Sequence, residues 1–96
     1  MLLLVTYDVK TETPEGRRRL AKVAKICGRY GQRVQNSVFE CNVDWAQSRK
    51  LEAELAKLIR KDEDSLRFYN LGDNYHNRVN HIGVKPSIDV DGVLII

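Results

Sequence analysis

Apolar positions along this chain change period several times, and each change marks an element. Residues 2–7 (LLLVTY) are apolar on both faces of an extended chain, the pattern of a strand central in its sheet. Residues 10–15 are a polar loop, and Thr13 before Pro14 predicts an N-cap with proline at the first helical position. From Pro14 to Arg29 or Tyr30 the period becomes helical: Leu20, Val23, Ala24 and Cys27 form an i, i+3, i+4, i+7 stripe. Gly28 and Gly31 both offer a stop.

Residues 32–43 return to a strand pattern whose phase slips. Val34 and Val38 occupy even positions, whereas Phe39, Cys41 and Val43 occupy odd ones. A slip at Asn36-Ser37 predicts two short strands joined by a turn or bulge. Asp44 then caps a second helix with Leu51, Leu55, Leu58 and Ile59 inward and Lys50, Glu54, Lys57 and Lys61 outward. Trp45 reads as a hydrophobic contact at its start. Residues 66–71 form another strand closed by Gly72, residues 73–89 are polar without a period, and residues 89–96 end in the apolar run VLII.

The order is β-α-β-β-α-β with an extra C-terminal strand. This predicts an α+β, ferredoxin-like fold with two helices on one face of an antiparallel sheet. The chain reads as a single domain over residues 1–96, with a core over 1–72 and a connection plus terminal strand over 73–96. An apolar terminal strand on so small a domain is expected to add to a partner's sheet edge, giving a homodimer.

Charge changes this picture of an ordinary small domain. The formal net charge is +3, but residues 16–39 contain Arg17, Arg18, Arg19, Lys22, Lys25, Arg29 and Arg33 and no acid. The rest of the chain holds nine basic against thirteen acidic residues. Arg18, Lys22, Lys25 and Arg29 fall within about 60° of each other at 100° per residue, opposite the apolar stripe. Arg17 and Arg19 flank that stripe, where their stems can run along the core edge. A solvated helix face normally mixes charge signs, so this segment points towards a polyanion such as nucleic acid.

No apolar run approaches the ~20 residues of a membrane span, and no secretion-signal pattern is visible. Cys27 and Cys41 read as free core thiols, which fits a reducing cytoplasm.

The candidates for chemistry are few. Asp8 ends the first strand beside the basic segment, either as a loop acid accepting backbone hydrogen bonds or as a metal ligand. One carboxylate is a poor Mg²⁺ or Mn²⁺ site, but a two-fold axis near Asp8 would bring two together. Such an ion would activate water and polarise a phosphoryl oxygen. Ser37 fits either a plain turn or a phosphate contact, and Phe39 either the core or a stack on a base. His76 and His81 are weak ligand candidates. The sheet lacks the aromatic signature of an RNA-recognition module.

The strand ending TYDV (Thr6–Val9), the helix carrying Arg17 and Arg19, and RVQNSVFE (Arg33–Glu40) together resemble the Cas-two proteins of CRISPR adaptation. The resemblance covers residue 1 to about residue 72. It implies a ferredoxin-like homodimer with Asp8 at the two-fold axis, binding a divalent metal with Tyr7 in support. It also implies Arg17, Arg19 and Arg33 near nucleic acid, with Ser37 and Phe39 as further site positions. The implied activity is metal-dependent endonucleolytic cleavage of duplex DNA or RNA during spacer acquisition. The alternatives are a non-catalytic adaptor bridging the Cas-one integrase and spacer-precursor DNA, and a toxin-like ribonuclease.

Overall fold

The largely apolar run of residues 2–7, ended by Asp8, forms β1 (Leu2–Asp8) in the interior of a four-stranded sheet of order β2-β3-β1-β4. The computed structural model describes residues 1–84. The helix α1 (Pro14–Tyr30), the strands β2 (Gly31–Gln35) and β3 (Val38–Asn42), the helix α2 (Trp45–Leu58) and the strand β4 (Ser65–Asn70) complete the β-α-β-β-α-β order. The expected strand over residues 89–96 lies outside the described residues, as does any crossing to a partner.

All three strand pairings are antiparallel. The register sorts β1 into two sets. Leu3, Val5 and Tyr7 face the helices with Cys41, Phe39, Phe68 and Leu66 opposite them. Leu2, Leu4 and Thr6 lie on the other face, paired with Asn42, Glu40 and Val38 on one side and, for Leu4 and Thr6, with Tyr69 and Arg67 on the other.

Both helix starts follow from their caps. The Thr13 hydroxyl accepts from the Gly16 amide at 3.1 Å. Asp44 and Gln47 form a reciprocal capping box. Val23 and Cys27 of α1, and Leu51 and Leu55 of α2, are buried against the inner sheet face, with Leu58 and Ile59 packed beside them. The thiols of Cys27 and Cys41 are free, and burial pushes them up to about 11 and about 12 respectively.

The phase slip is real, and it has two parts. A two-residue turn at Asn36-Ser37 joins β2 to β3, and the pairing shifts between Arg33 and Gln35. No non-glycine residue among those described has a positive φ, so this turn is not of the left-handed hairpin types. The bulge at Val34 supplies the extra twist instead.

Two expectations change. Gly28 is an ordinary interior position of α1, and only Gly31 caps the helix. Trp45 does not pack inward. It is 66% exposed, with the Arg49 guanidinium 5.7 Å from its ring centroid, because the first helical position after the Asp44 cap points away from the sheet. One core residue lies in the polar connection: Tyr75 is buried, and the Asn42 side chain donates to its hydroxyl at 3.5 Å. Asn42 pairs with Leu2, so Tyr75 closes that end of the outer sheet face.

Candidate functional site

The C-terminal tip of β1 is where the sequence candidates meet. Tyr7 donates its backbone amide to the Ser37 carbonyl at 3.1 Å. Its hydroxyl donates to the Asn36 carbonyl at 3.4 Å. The β2–β3 turn therefore sits against the strand end that carries Asp8. On the other side, Asp8 is in register with Ser65, the first residue of β4. Asp8 itself is exposed, and its carboxylate makes no hydrogen bond or ion pair among the described residues.

Tyr7 and Phe39 lie beneath this tip rather than on it. Both are buried, with ring centroids 6.2 Å apart. The exposed Arg33 places its guanidinium 5.3 Å from the Phe39 centroid, a cation–π contact at the rim. Burial pushes the Tyr7 phenol above its ordinary value, against the opposing pull of Arg33. Phe39 is thus a core ring in this chain, and base stacking on its face would require Arg33 and Tyr7 to move.

The basic helix divides on inspection. Arg17, Arg18, Lys22, Lys25 and Arg29 are exposed along α1. Arg17 donates to the Thr11 carbonyl at 3.1 Å. Arg18 and Arg29 are held loosely by Glu15 at 3.4 Å and Glu54 at 3.6 Å. These are surface pairs of the kind that phosphate displaces at little cost. Arg19 behaves differently. Its side chain is 11% exposed and grips the buried Asp64 through Nε at 2.9 Å and Nη2 at 3.3 Å. It is turned into the molecule, so the basic face rests on its neighbours.

Asp64 was not legible as special in the sequence. Its carboxylate also accepts the Lys10 amide at 3.1 Å and the Arg60 amide at 2.9 Å. Burial alone would raise its pKa, but the Arg19 hydrogen bonds and the Arg60 and Lys10 amides outweigh this and hold it below the ordinary value. The only sequence signal was an acid immediately before a strand.

Metal ligation within one chain is sparse. Among the described residues no group of three or more His, Cys, Asp or Glu is placed to hold an ion. His76 stacks on Tyr75 at 4.8 Å, and His81 lies 3.2 Å from the Gly83 carbonyl. Mg²⁺ typically keeps several waters and takes one or two carboxylates plus substrate phosphates, so an exposed, unpaired Asp8 fits that ion's habits. A cavity of about 630 Å³ opens beside Met1, Trp45 and Asp73, at the opposite end of β1 from Asp8. No described helix is long and apolar enough to cross a membrane.

These features define a class: a ferredoxin-like α+β domain presenting a basic helix beside a lone carboxylate at a strand tip. The chain belongs to the CRISPR associated protein Cas2 family, whose sequence model matches residues 1–79. It is 59% identical over 95 residues to the CRISPR-associated endonuclease Cas2 of Halalkalibacterium halodurans, covering 99% of each chain. It is 59% identical over 96 residues to the CRISPR-associated endoribonuclease Cas2 of Chlorobaculum tepidum, covering all of both. The crystal structure of Streptococcus pyogenes Cas2 at pH 6.5 superposes with a TM-score of 0.76 at 55% identity, covering 86% of this chain and all of that one.

Proposed function

We propose that this chain is a dimeric nuclease of CRISPR adaptation that binds nucleic acid on its basic helix faces and cleaves phosphodiesters at Asp8. The observation that carries this reading is the exposed Asp8 carboxylate, without a partner among the described residues, at the tip of the strand that leads into a helix of exposed cations. Its relatives' names, endonuclease and endoribonuclease, support the same reaction class.

Arg17, Arg18, Lys22, Lys25 and Arg29 bind phosphates and set the register of the nucleic acid. Arg33 extends this surface towards the tip. Ser37, in the turn beside Tyr7, offers a hydroxyl for a phosphate oxygen or a water. Tyr7 and Phe39 hold the tip from below through packing and the Tyr7 hydroxyl. Asp8 would hold Mg²⁺ or Mn²⁺, shared with Asp8 of a second protomer across a two-fold axis. When bound, that ion supplies Lewis acidity at the phosphodiester and activates the attacking water.

The outer sheet face supports the dimer. Leu4, Thr6 and Val38 are only partly buried there, and Tyr69 is 41% exposed. A second reading is a structural adaptor that holds spacer-precursor DNA for the Cas-one integrase. It is favoured by the basic face, which needs no help from Asp8 to bind a duplex.

Asp8→Asn separates the two. It keeps the shape and removes the charge that attracts the ion. Cleavage of duplex DNA and single-stranded RNA with Mg²⁺ or Mn²⁺ should collapse, while duplex binding in chelator persists or tightens. Undiminished cleavage in Asp8→Asn would refute the metal-site reading. If neither protein cuts but both support spacer integration with the integrase, the adaptor reading stands.

A further inference from the structure

The peptide of Lys10, two residues beyond Asp8, is gripped from both sides. Its N–H donates to the buried Asp64 carboxylate at 3.1 Å. Its carbonyl lies so close over Gly16, in the first turn of α1, that a Cβ there would collide with the oxygen and meet the carbonyl carbon at 3.0 Å. Gly16 is itself buried, and its amide donates to the Thr13 hydroxyl at 3.1 Å. The carboxylate is in turn pinned by Arg19 at 2.9 Å and by the Arg60 amide at 2.9 Å. Asp64 immediately precedes Ser65, the register partner of Asp8. The chain leaving Asp8 and the chain entering the strand beside it are therefore tied to one buried acid.

We propose that Asp64 is a positioning residue for Asp8: by clamping the Lys10 peptide against Gly16, with Arg19 as its counter-ion, it fixes the direction in which the Asp8 carboxylate leaves the sheet. This rests on the reading of Asp8 as a metal ligand. A short exposed strand end would otherwise fray, and a mobile carboxylate would have to be ordered by the ion at a cost in affinity. Hydrogen-bonding partners one step behind a ligand commonly govern metal affinity by 10–100-fold. The clamp does so here through the backbone, and the arrangement also explains why one arginine of α1 turns inward while its basic neighbours stay exposed.

The test measures Mn²⁺ affinity of the metal-free full-length protein by calorimetry and by the loss of free-ion signal in electron paramagnetic resonance. Two variants loosen the same peptide from opposite sides. Arg19→Met/Asp64→Ala removes the acceptor without leaving an unpaired charge. Gly16→Ala displaces the Lys10 carbonyl and keeps the ion pair, so it carries the test if the double variant fails to fold. Leu55→Ala, a core truncation, controls for general loss of stability.

The expected result is a roughly tenfold or greater loss of Mn²⁺ affinity in each folded peptide variant, with Leu55→Ala unchanged. Wild-type affinity in those variants, while Asp8→Asn abolishes binding, would overturn the clamp and leave the Asp8 site standing. An equal loss in Leu55→Ala, or a loss in only one of two folded variants, would also overturn it. Mn²⁺ binding that is absent in wild type, or untouched by Asp8→Asn, would remove the metal site and the clamp with it.

Discussion

Asp8 and Asp64 are both carboxylates at the margin of a strand, and their surroundings give them opposite properties. Asp8 is exposed and its carboxylate has no partner among the described residues, whereas the Asp64 side chain is fully buried among one guanidinium and two amides. The lowered pKa of Asp64 makes a pH prediction whose sign is fixed. A depressed folded value contributes stability that is present above the unfolded carboxyl value, near 3.8, and lost as pH falls through the lower folded value. Acid unfolding followed by circular dichroism should therefore steepen below about pH 4 in the wild type. The Arg19→Met/Asp64→Ala protein should lose less stability over the same range. Identical acid limbs in the two proteins would show that this pair does not set the acid sensitivity.

At the scale of elements, the two candidate helix stops separate cleanly. Gly28 is exposed within α1, and a Cβ there would meet nothing within 4 Å. Gly28→Ala should stabilise the protein by about 0.5–1 kcal/mol, through helix propensity and a less flexible unfolded chain. Gly31 has an extended φ of −167°, which any residue adopts, but a Cβ there would collide with the Glu40 carbonyl oxygen and lie 2.6 Å from the Cys41 Cα. Gly31→Ala should destabilise by about 1–3 kcal/mol, as overpacking does, read as a lower urea midpoint at constant slope. Equal effects at the two positions would contradict the close approach of β2 to β3. The same contrast shows what the chain reveals of itself. Periodicity marked both helices, the Thr13 and Asp44 caps, and the phase slip at Asn36-Ser37, because these are local relations between residues a few positions apart. It missed the burial of Tyr75, the outward Trp45 and the Arg19–Asp64 pair. Arg19 and Asp64 are 45 positions apart, and only the fold brings α1 against the residue that precedes β4. Asp8, Tyr7, Ser37 and Phe39 were legible as a set mainly through a family resemblance; in the fold Ser37 lies in the turn against the strand end that carries Asp8, with Tyr7 and Phe39 buried beneath it.

The whole molecule is where charge and assembly meet. One chain exposes Arg17, Arg18, Lys22, Lys25 and Arg29 along α1, and geometry limits how many reach a duplex at once. If about three phosphates are neutralised per protomer, a lone chain has a salt slope near −2.7 and loses roughly 40-fold in affinity between 50 and 200 mM salt. A two-fold dimer presenting both helices to the same duplex doubles the slope and loses about a thousandfold or more. The oligomeric state is thus written into the salt dependence. Residues 89–96 end in VLII, and the outer face around Leu4, Val38 and Tyr69 is partly exposed among the described residues. If the proposed dimer forms through residues 89–96, removing them should give monomer or aggregate in sedimentation. The soluble fraction should then show about half the wild-type salt slope, because each particle carries one basic helix. Replacing Arg17, Lys22 and Lys25 with Ala in the full chain should flatten the slope without changing the sedimentation coefficient, since those side chains are exposed on α1. A truncated protein that stays a soluble dimer with the full slope would exclude the terminal strand as the link between protomers. A triple variant with an unchanged slope would move the phosphate contacts off α1.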